Sequence, residues 1–373
     1  MSVDADTNSL PSISVIVPTY QEVKNLGHLI ERVEAVVAEH GLDLEMWIMD
    51  DNSGDGTEEL IASLDKPWVN LVVRTENRGL SPAVIDGLKA ATKDILIVMD
   101  ADLSHPPEKL PELAKCLESG NDFVIGSRYV PGGSTDAEWG LFRWLNSKIA
   151  TLMARPFTTA KDPMAGFFAM RRAKFQEADY LNPVGYKIGL ELIVKCGCSK
   201  LGEIPIYFQD RQHGESKLSF AEQMRYIQHL RRLWIYKYPT WSHILQFGVV
   251  GSSGVFVNLI VLTILELAGL SVSTALAGGI AMSVVSNFVL NRRFTFSYAR
   301  AGSILIQFLK YVGACSIGMV VQFVTSKYIH GLLVDDQVPL ATQISALCGI
   351  AAGMVFNFIM SRFFVFRKDE DKV

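Results

Sequence analysis

The stretch Ile95-Leu96-Ile97-Val98-Met99-Asp100-Ala101-Asp102 sets five apolar residues directly before two carboxylates. A short apolar run bounded by polar residues reads as a strand buried on both faces, the kind found in parallel sheets covered by helices. The two acids then stand at its carboxyl end with one residue between them, and alternation, which sets i and i+2 on one face, lets one meet a ligand while the other supports or shares it. By itself such a pair serves equally as a loop cap or as a sparse site for a hard cation completed by phosphate oxygens.

Apolar runs at residues 13–17, 46–49, 71–73 and 123–125 repeat the pattern, and the first stops at Pro18. Leu26, Leu29, Ile30, Val33, Val36 and Val37 recur at helical spacing after the first run, and polar, helix-compatible segments separate the others. This predicts an α/β domain with a mainly parallel sheet. Ligands of such sheets bind beyond the carboxyl ends of the strands, so Thr19, Tyr20, Asp50, Asp51, Asp100, Asp102, Ser127 and Arg128 form a candidate rim. The first strand is not followed by Gly-x-Gly-x-x-Gly, and no Gly-x-x-x-x-Gly-Lys-Ser/Thr occurs. Dinucleotide and P-loop readings thereby lose their main support.

Composition divides the 373 residues in two: residues 1–240 mix charged and apolar side chains, whereas residues 244–366 are long apolar runs. The net charge of -4 gives no case for a nucleic-acid partner, which calls for a basic excess. Five scattered cysteines, Cys116, Cys196, Cys198, Cys315 and Cys348, suggest neither a disulfide framework nor a zinc site and read as packing residues. The polar, acidic start at residues 1–12 lacks signal-peptide character, so the first domain is expected to stay in the cytosol.

In the rear half, residues 244–267, 272–290, 304–331 and 340–361 form four apolar spans, each near the ~20 residues that cross a bilayer. Arg231, Arg232 and Lys237 precede the first span, Arg292, Arg293 and Arg300 lie between the second and third, and Arg362, Arg367 and Lys368 follow the fourth. The other side has Lys327 with the acidic Asp335 and Asp336. The positive-inside rule therefore predicts a multi-pass membrane protein with both termini and the catalytic domain in the cytosol. Asn287-Phe288 followed by Arg292, Phe294 and Phe296 returns 70 residues later as Asn357-Phe358, Arg362, Phe364 and Phe366, which suggests a duplicated helical hairpin. Asn287 and Asn357 suit interhelical hydrogen bonding or a lipid-phosphate path. Residues 137–157 and 220–241 mix Trp and Tyr with Arg and Lys, as amphipathic helices at a headgroup layer do, and suggest a mouth where a lipid phosphate enters.

Four stretches carry a resemblance: Val17-Pro18-Thr19-Tyr20-Gln21-Glu22; Asp50-Asp51-Asn52-Ser53-Gly54-Asp55-Gly56-Thr57; Met99-Asp100-Ala101-Asp102-Leu103-Ser104-His105-Pro106-Pro107-Glu108; and Gly126-Ser127-Arg128-Tyr129. In order and spacing the chain resembles family 2 glycosyltransferases, specifically polyprenyl- or dolichyl-phosphate mannosyltransferases. Its rear half is similar to the four-helix GtrA-type domain often fused to them. The resemblance implies a Rossmann-like GT-A domain over residues 1–240 and an all-α, four-helix transmembrane domain over residues 241–373. It also implies Mg²⁺ or Mn²⁺ as cofactor, a GDP-mannose donor, a polyprenyl (dolichyl) phosphate acceptor and a lipid bilayer as surroundings. A homo-oligomer through the membrane domain fits the same picture.

Residue by residue, the resemblance implies that Pro18, Tyr20, Glu22, the backbone of Met49 and Asp51 hold the nucleoside. Asp100 and Asp102 would anchor the metal, with the Ala101 backbone against the diphosphate. Asp102 and Arg128 would serve catalysis, Arg128 by binding phosphate. The stretch Asp210-Arg211-Gln212-His213-Gly214-Glu215-Ser216-Lys217 matches a later basic loop of the family, so Arg211 and Lys217 would close over donor or acceptor phosphate, with Lys187 and Arg143 on the acceptor side. Two positions depart from the family. Ser104 stands where Gln is common, leaving its hydroxyl, His105 or water as third metal ligand, and Ala165 stands where a hydroxyl residue is usual.

A lipid monophosphate is anionic at neutral pH, so the expected chemistry is inverting attack on the anomeric carbon, aided by cations rather than by a strong general base. Three other readings stay open: a UDP-glucose polyprenyl-phosphate glucosyltransferase, a processive polysaccharide synthase, and a lipid-linked sugar carrier with a nucleotide-sensing front half. Against the second, Gln228-His229-Leu230-Arg231-Arg232 lacks the Trp of a Gln-x-x-Arg-Trp grip.

Overall fold

Alternation along β1 (Ser12–Thr19) sends Ile13, Val15 and Val17 into one core and Ile16 into another, so both faces of this strand must be covered. The structure is a computed structural model; it describes residues 12–135, 141–182, 185, 187–209, 220–335 and 341–367. The chain divides into two compact units, Met1–Lys237 and Tyr238–Val373.

The first unit continues with α1 (Val23–His40), β2 (Asp43–Asp50), α2 (Thr57–Leu64), β3 (Val69–Val73), α3 (Leu80–Ala90), β4 (Ile95–Val98), α4 (Leu110–Glu118) and β5 (Phe123–Ser127). There follow β6 (Ser134–Thr135), α5 (Leu141–Ala154), β7 (Phe168–Arg171), α6 (Arg172–Gln176), α7 (Ile188–Lys195), β8 (Leu201–Pro205), β9 (Tyr207–Phe208) and α8 (Phe220–Lys237). The seven-stranded sheet has the order β3-β2-β1-β4-β7-β5-β8. All its pairs are parallel except those of β7, which runs against β4 and β5. The expected mainly parallel α/β fold is present. β7 and β8 were not among the anticipated strands.

Leu26, Leu29, Ile30 and Val33 of α1 and Leu110, Leu113 and Leu117 of α4 pack on one face of the sheet. Val84 and Leu88 of α3 and Ile188 and Leu192 of α7 pack on the other. Each such side chain, fully buried, contributes about 1.5–3 kcal/mol. α1 ends at Gly41, whose φ of 62° closes the helix with its N–H on the Val37 carbonyl. The covered sheet leaves one place for ligand chemistry, the carboxyl ends of its parallel strands.

α5 and α8 are two-faced. Ala154, Leu230 and Leu233 join Phe157 and Leu190 in a small core, and the Tyr226 hydroxyl donates to the Ala150 carbonyl (2.7 Å). On their other faces Leu145, Ile149, Leu152, Met224 and Ile227 are exposed.

The second unit holds α9 (Pro239–Leu267), α10 (Val272–Leu290), α11 (Ile304–Asp335) and α12 (Ala341–Met360). Among the described residues, four helices are long and apolar enough to cross a membrane, within a few residues of the spans read from sequence. The duplication is visible in the backbone. α10 and α12 each run into a five-residue π-helical turn, Asn291–Thr295 and Ser361–Val365, ended by Phe296 (φ -117°, ψ 47°) and Phe366 (φ -110°, ψ 44°). These two phenylalanines, 70 residues apart in sequence, stack at 5.0 Å. Phe247 of α9 meets Phe358 of α12 at 5.6 Å, and Tyr311 of α11 meets Phe288 of α10 at the same distance. The hairpins are thus two copies in one orientation around an axis passing between Phe296 and Phe366. Within each copy a glycine faces the repeated asparagine: a Cβ on Gly254 would meet the Asn287 amide, and one on Gly318 that of Asn357. Close small-residue crossings of this kind are how helices associate in lipid.

Candidate functional site

β4 stops at Val98, and its partner β1 still holds Met99 through Met99 N–H to the Ile16 carbonyl (3.1 Å). The chain then turns sharply, because Leu103 takes a left-handed φ of 63°. The Asp100 N–H donates to His105 Nδ1 (2.9 Å), and the buried His105 ring stacks on Phe167 (5.2 Å between centroids, 13° between planes). A ring nitrogen that accepts a backbone N–H carries no proton there, so His105 holds the turn as an acceptor. Asp102 Oδ1 accepts from both the Ser104 N–H (3.1 Å) and the Ser104 hydroxyl (2.6 Å). Ser104, 1 % exposed, is therefore aimed at Asp102.

Asp100 keeps a partly exposed carboxylate, and Gly166 lies over it: a Cβ there would stand 3.3 Å from Asp100 Oδ2 and from His105 Cε1. No group of three or more His, Cys, Asp and Glu side chains able to enclose a metal occurs among the described residues. Asp100 and Asp102 offer hard oxygen donors in the sparse set that suits Mg²⁺ or Mn²⁺ sharing phosphate oxygens, so the residues fit such a cation.

Arg128, just past β5, forms a two-pronged pair with Asp162: Nε to Oδ2 at 2.7 Å and Nη2 to Oδ1 at 2.8 Å, with the Arg128 N–H on Oδ2 at 3.1 Å. Asp162 is fully buried, and its own N–H donates to Glu203 Oε1 (3.1 Å). Phe208 lies under the Arg128 guanidinium at 5.2 Å. Burial works against the Arg128 charge, but the hydrogen bonds and charge of Asp162 outweigh it and hold its pKa above the usual value. At Lys187, which precedes α7, burial and then the nearby Arg128 charge lower the pKa, opposed in part by Asp162 and Asp100. Arg128, Asp162, Lys187 and Asp100 thus form one electrostatic group. The segment that carries Ala165 also carries Asp162, which pairs with Arg128, and Gly166, which lies over Asp100.

At the ends of β1 and β2 the two expected nucleoside loops are tied together. Asp50 accepts from the Thr19 hydroxyl (3.1 Å), the Ser53 N–H (2.8 Å) and the Ser53 hydroxyl (2.5 Å), and Ser53 Oγ accepts the Gln21 N–H (2.8 Å). Asp55 caps α1 by accepting the Val23 N–H (3.1 Å). Pro18 and Met49 are buried beneath these loops, Glu22 accepts from Asn25 (2.7 Å), and the half-exposed Tyr20 ring lies 5.2 Å from the Arg78 guanidinium. Asp51, also expected to hold the nucleoside, is tied into the same rim. Its carboxylate is buried, pairs with Arg74 and accepts the Gly79 N–H (2.5 Å). It organises the stretch from Arg74 to Gly79, because a carboxylate this enclosed needs paired donors.

Sequence reading passed over Asp162, Arg74, Arg78 and Gly166. For Asp162 and Gly166 the local signal was the departure noted at Ala165, which drew attention to the segment but not to its acid or its glycine; Arg74 and Arg78 had none. Arg211 and Lys217 lie outside the described residues, as does the side chain of Arg143.

A family profile described as glycosyl transferase family 2 matches residues 14–178, and one described as the GtrA/DPMS transmembrane domain matches residues 246–366. The chain is 38 % identical over 317 residues to a dolichol-phosphate mannosyltransferase of Pyrococcus furiosus, covering 84 % of this chain and 89 % of that protein. It is 40 % identical over 265 residues to one of Mycosarcoma maydis (64 % and 90 % covered) and 40 % identical over 235 residues to one of Saccharomyces cerevisiae (60 % and 88 % covered).

Proposed function

The chain belongs to the family of the dolichol-phosphate mannosyltransferases, and on that premise we propose that it moves mannose from GDP-mannose onto a polyprenyl phosphate. The observation that carries this is a likeness 317 residues long, which must run from the sheet unit into the helical one. The chain is an integral membrane glycosyltransferase. Its donor base, site roles and orientation are the proposal.

The acceptor phosphate oxygen forms a bond to the anomeric carbon as the bond from that carbon to the diphosphate breaks, and GDP departs with the electron pair. Attack opposite the leaving group turns an α-linked donor into a β-linked product. The nucleophile is already an anion, so the chain's task is to position it and offset charge. A divalent cation held by Asp100 and Asp102 would supply neutralisation of the leaving diphosphate. Ser104 fixes the Asp102 rotamer, and Gly166 keeps the space over Asp100 free of a side chain. Arg128, set by Asp162, places a permanent charge beside these acids, and Lys187, when protonated, adds a titratable one toward the acceptor. Arg211 and Lys217 close over the donor or acceptor phosphate, and Arg143 joins the acceptor side. Pro18, Tyr20, Glu22, Met49 and Asp51 hold the nucleoside, and Asp51 also fixes the neighbouring turn through Arg74 and Gly79. The arginine-rich ends of the membrane helices support a cytosolic catalytic unit.

Mass spectrometry of lipid products from membranes given equal GDP-mannose and UDP-glucose tests this. Polyprenyl-phosphate mannose should form and Asp102→Ala should lower its rate at least ~10²-fold, the scale of losing one electrostatic stabiliser. Glucosyl product alone would overturn the donor assignment.

A further inference from the structure

The two hairpins of the second unit share a frame but not a charge pattern. Arg292 and Arg362 sit at matching places on the two π-helical turns and belong to that frame. Seventy residues beyond Arg293 and Arg300, however, stand Phe363 and Glu370. The second hairpin makes the same π-helical turn with Phe363 where the first has Arg293, so the turn alone does not call for that guanidinium.

Arg292, Arg293 and Arg300 line a cavity of about 390 Å³ whose other walls are Phe288, Val289 and Ile304. Arg292 is held in a built setting. Its Nε donates to Gln307 Oε1 (2.8 Å), and its Nη2 to the carbonyls of Arg300 (2.6 Å) and Gly302 (3.0 Å). Gln307, 8 % exposed, donates in turn to the Ala299 carbonyl (2.9 Å). Gly302 makes room for it, since a Cβ there would come within 2.5 Å of Gln307 Nε2. Arg300 reaches back to the Arg293 carbonyl. A charge that only sets membrane orientation needs none of this fixing. Among the described residues no ion pair joins a carboxylate to the three arginines; Glu266 stands at the far end of α9 and Asp335 at the far end of α11.

We propose that this cavity binds the phosphate of an anionic membrane lipid. Clustered guanidiniums suit phosphate oxygens through charge-assisted, forked hydrogen bonds, and basic pockets at the ends of membrane helices suit lipid headgroups. The walls decide between a lipid and a free ion. Val289 and Ile304 are 51 % and 60 % exposed, on helices apolar enough to face lipid, so a chain can lie along them while its phosphate meets the arginines. The site stands whether or not the first unit transfers mannose.

The test is native mass spectrometry of the full chain released from membranes containing equal phosphatidylglycerol and phosphatidylcholine. The wild-type protein should retain phosphatidylglycerol in preference, and Arg293→Ala with Arg300→Ala should weaken that preference on the order of tenfold. Arg362→Ala should leave it intact, and Arg293→Lys with Arg300→Lys should keep most of it. Equal retention of both lipids by the wild-type chain overturns the proposal without reference to any variant. So does an unchanged preference in the double alanine variant. Displacement of phosphatidylglycerol by millimolar inorganic phosphate would assign the cavity to a free anion instead.

Discussion

Lys187 and Arg128 carry neighbouring charges, but only one of them can lose its proton. Arg128 has a buried carboxylate partner in Asp162, while Lys187 meets desolvation and the Arg128 charge with less compensation. Its ammonium is therefore fully charged at low pH and loses its charge as pH rises through a value below that of a free lysine. Between that lowered value and the free-lysine pKa of about 10.4, the folded chain binds fewer protons than the unfolded one, so this residue's stability contribution rises with pH there. Acceptor binding runs the other way, because the phosphate loses a cation. We expect the acceptor KM to climb several-fold as pH rises through that lowered value, and Lys187→Arg, which stays charged, to flatten the climb. KM against pH for both proteins checks this. Parallel profiles would remove Lys187 from the acceptor side.

At the scale of elements, α3 lies so close to the sheet that position 87 has no room for a methyl group. A Cβ on Gly87 would stand 2.5 Å from Ile16 Cγ2 and 3.0 Å from Met49 Cγ. Gly87→Ala should then push α3 away from β1 and β2 and destabilise the unit by about 1–3 kcal/mol, the usual effect of overpacking. A lowered Tm of the purified chain, with the nucleoside loops loosened, is the expected reading; an unchanged Tm would mean the helix shifts freely. The same closeness explains what the sequence could and could not disclose. Apolar runs ending in Pro18, Asp50 or Asp100 mark parallel strands because burial on both faces and polar ends coincide in one short stretch. β7 is four residues long and runs backwards between β4 and β5, a pairing set by distant contacts with no local period to betray it. Asp162 was hidden for the same reason: its partner Arg128 is 34 residues away and its burial comes from tertiary packing. The hairpin repeat was legible because duplication leaves like residues at a fixed offset, whereas the stacking of Phe296 on Phe366 needed coordinates.

For the molecule as a whole, membrane contact need not reside in the four long helices alone. The first unit has cores of its own, and α5 and α8 use their inner faces in one of them. What remains outside is apolar at helical spacing on α5: Leu145, Ile149 and Leu152, the last 71 % exposed. Lys148 and Arg155 accompany them, with Arg231 and Arg232 on α8. An exposed apolar stripe bordered by basic residues is the pattern of a helix lying in a headgroup layer. Residues 1–237 alone should therefore float with vesicles containing phosphatidylglycerol, less so in high salt, where the basic residues are screened. Ile149→Glu with Leu152→Glu should lower the bound fraction on the order of tenfold or more, since two apolar side chains worth up to ~1.5–3 kcal/mol each are replaced by repelled charges. If the unit stays in the aqueous layer with wild-type sequence, the stripe has some other cover, and the first unit has no lipid contact of its own.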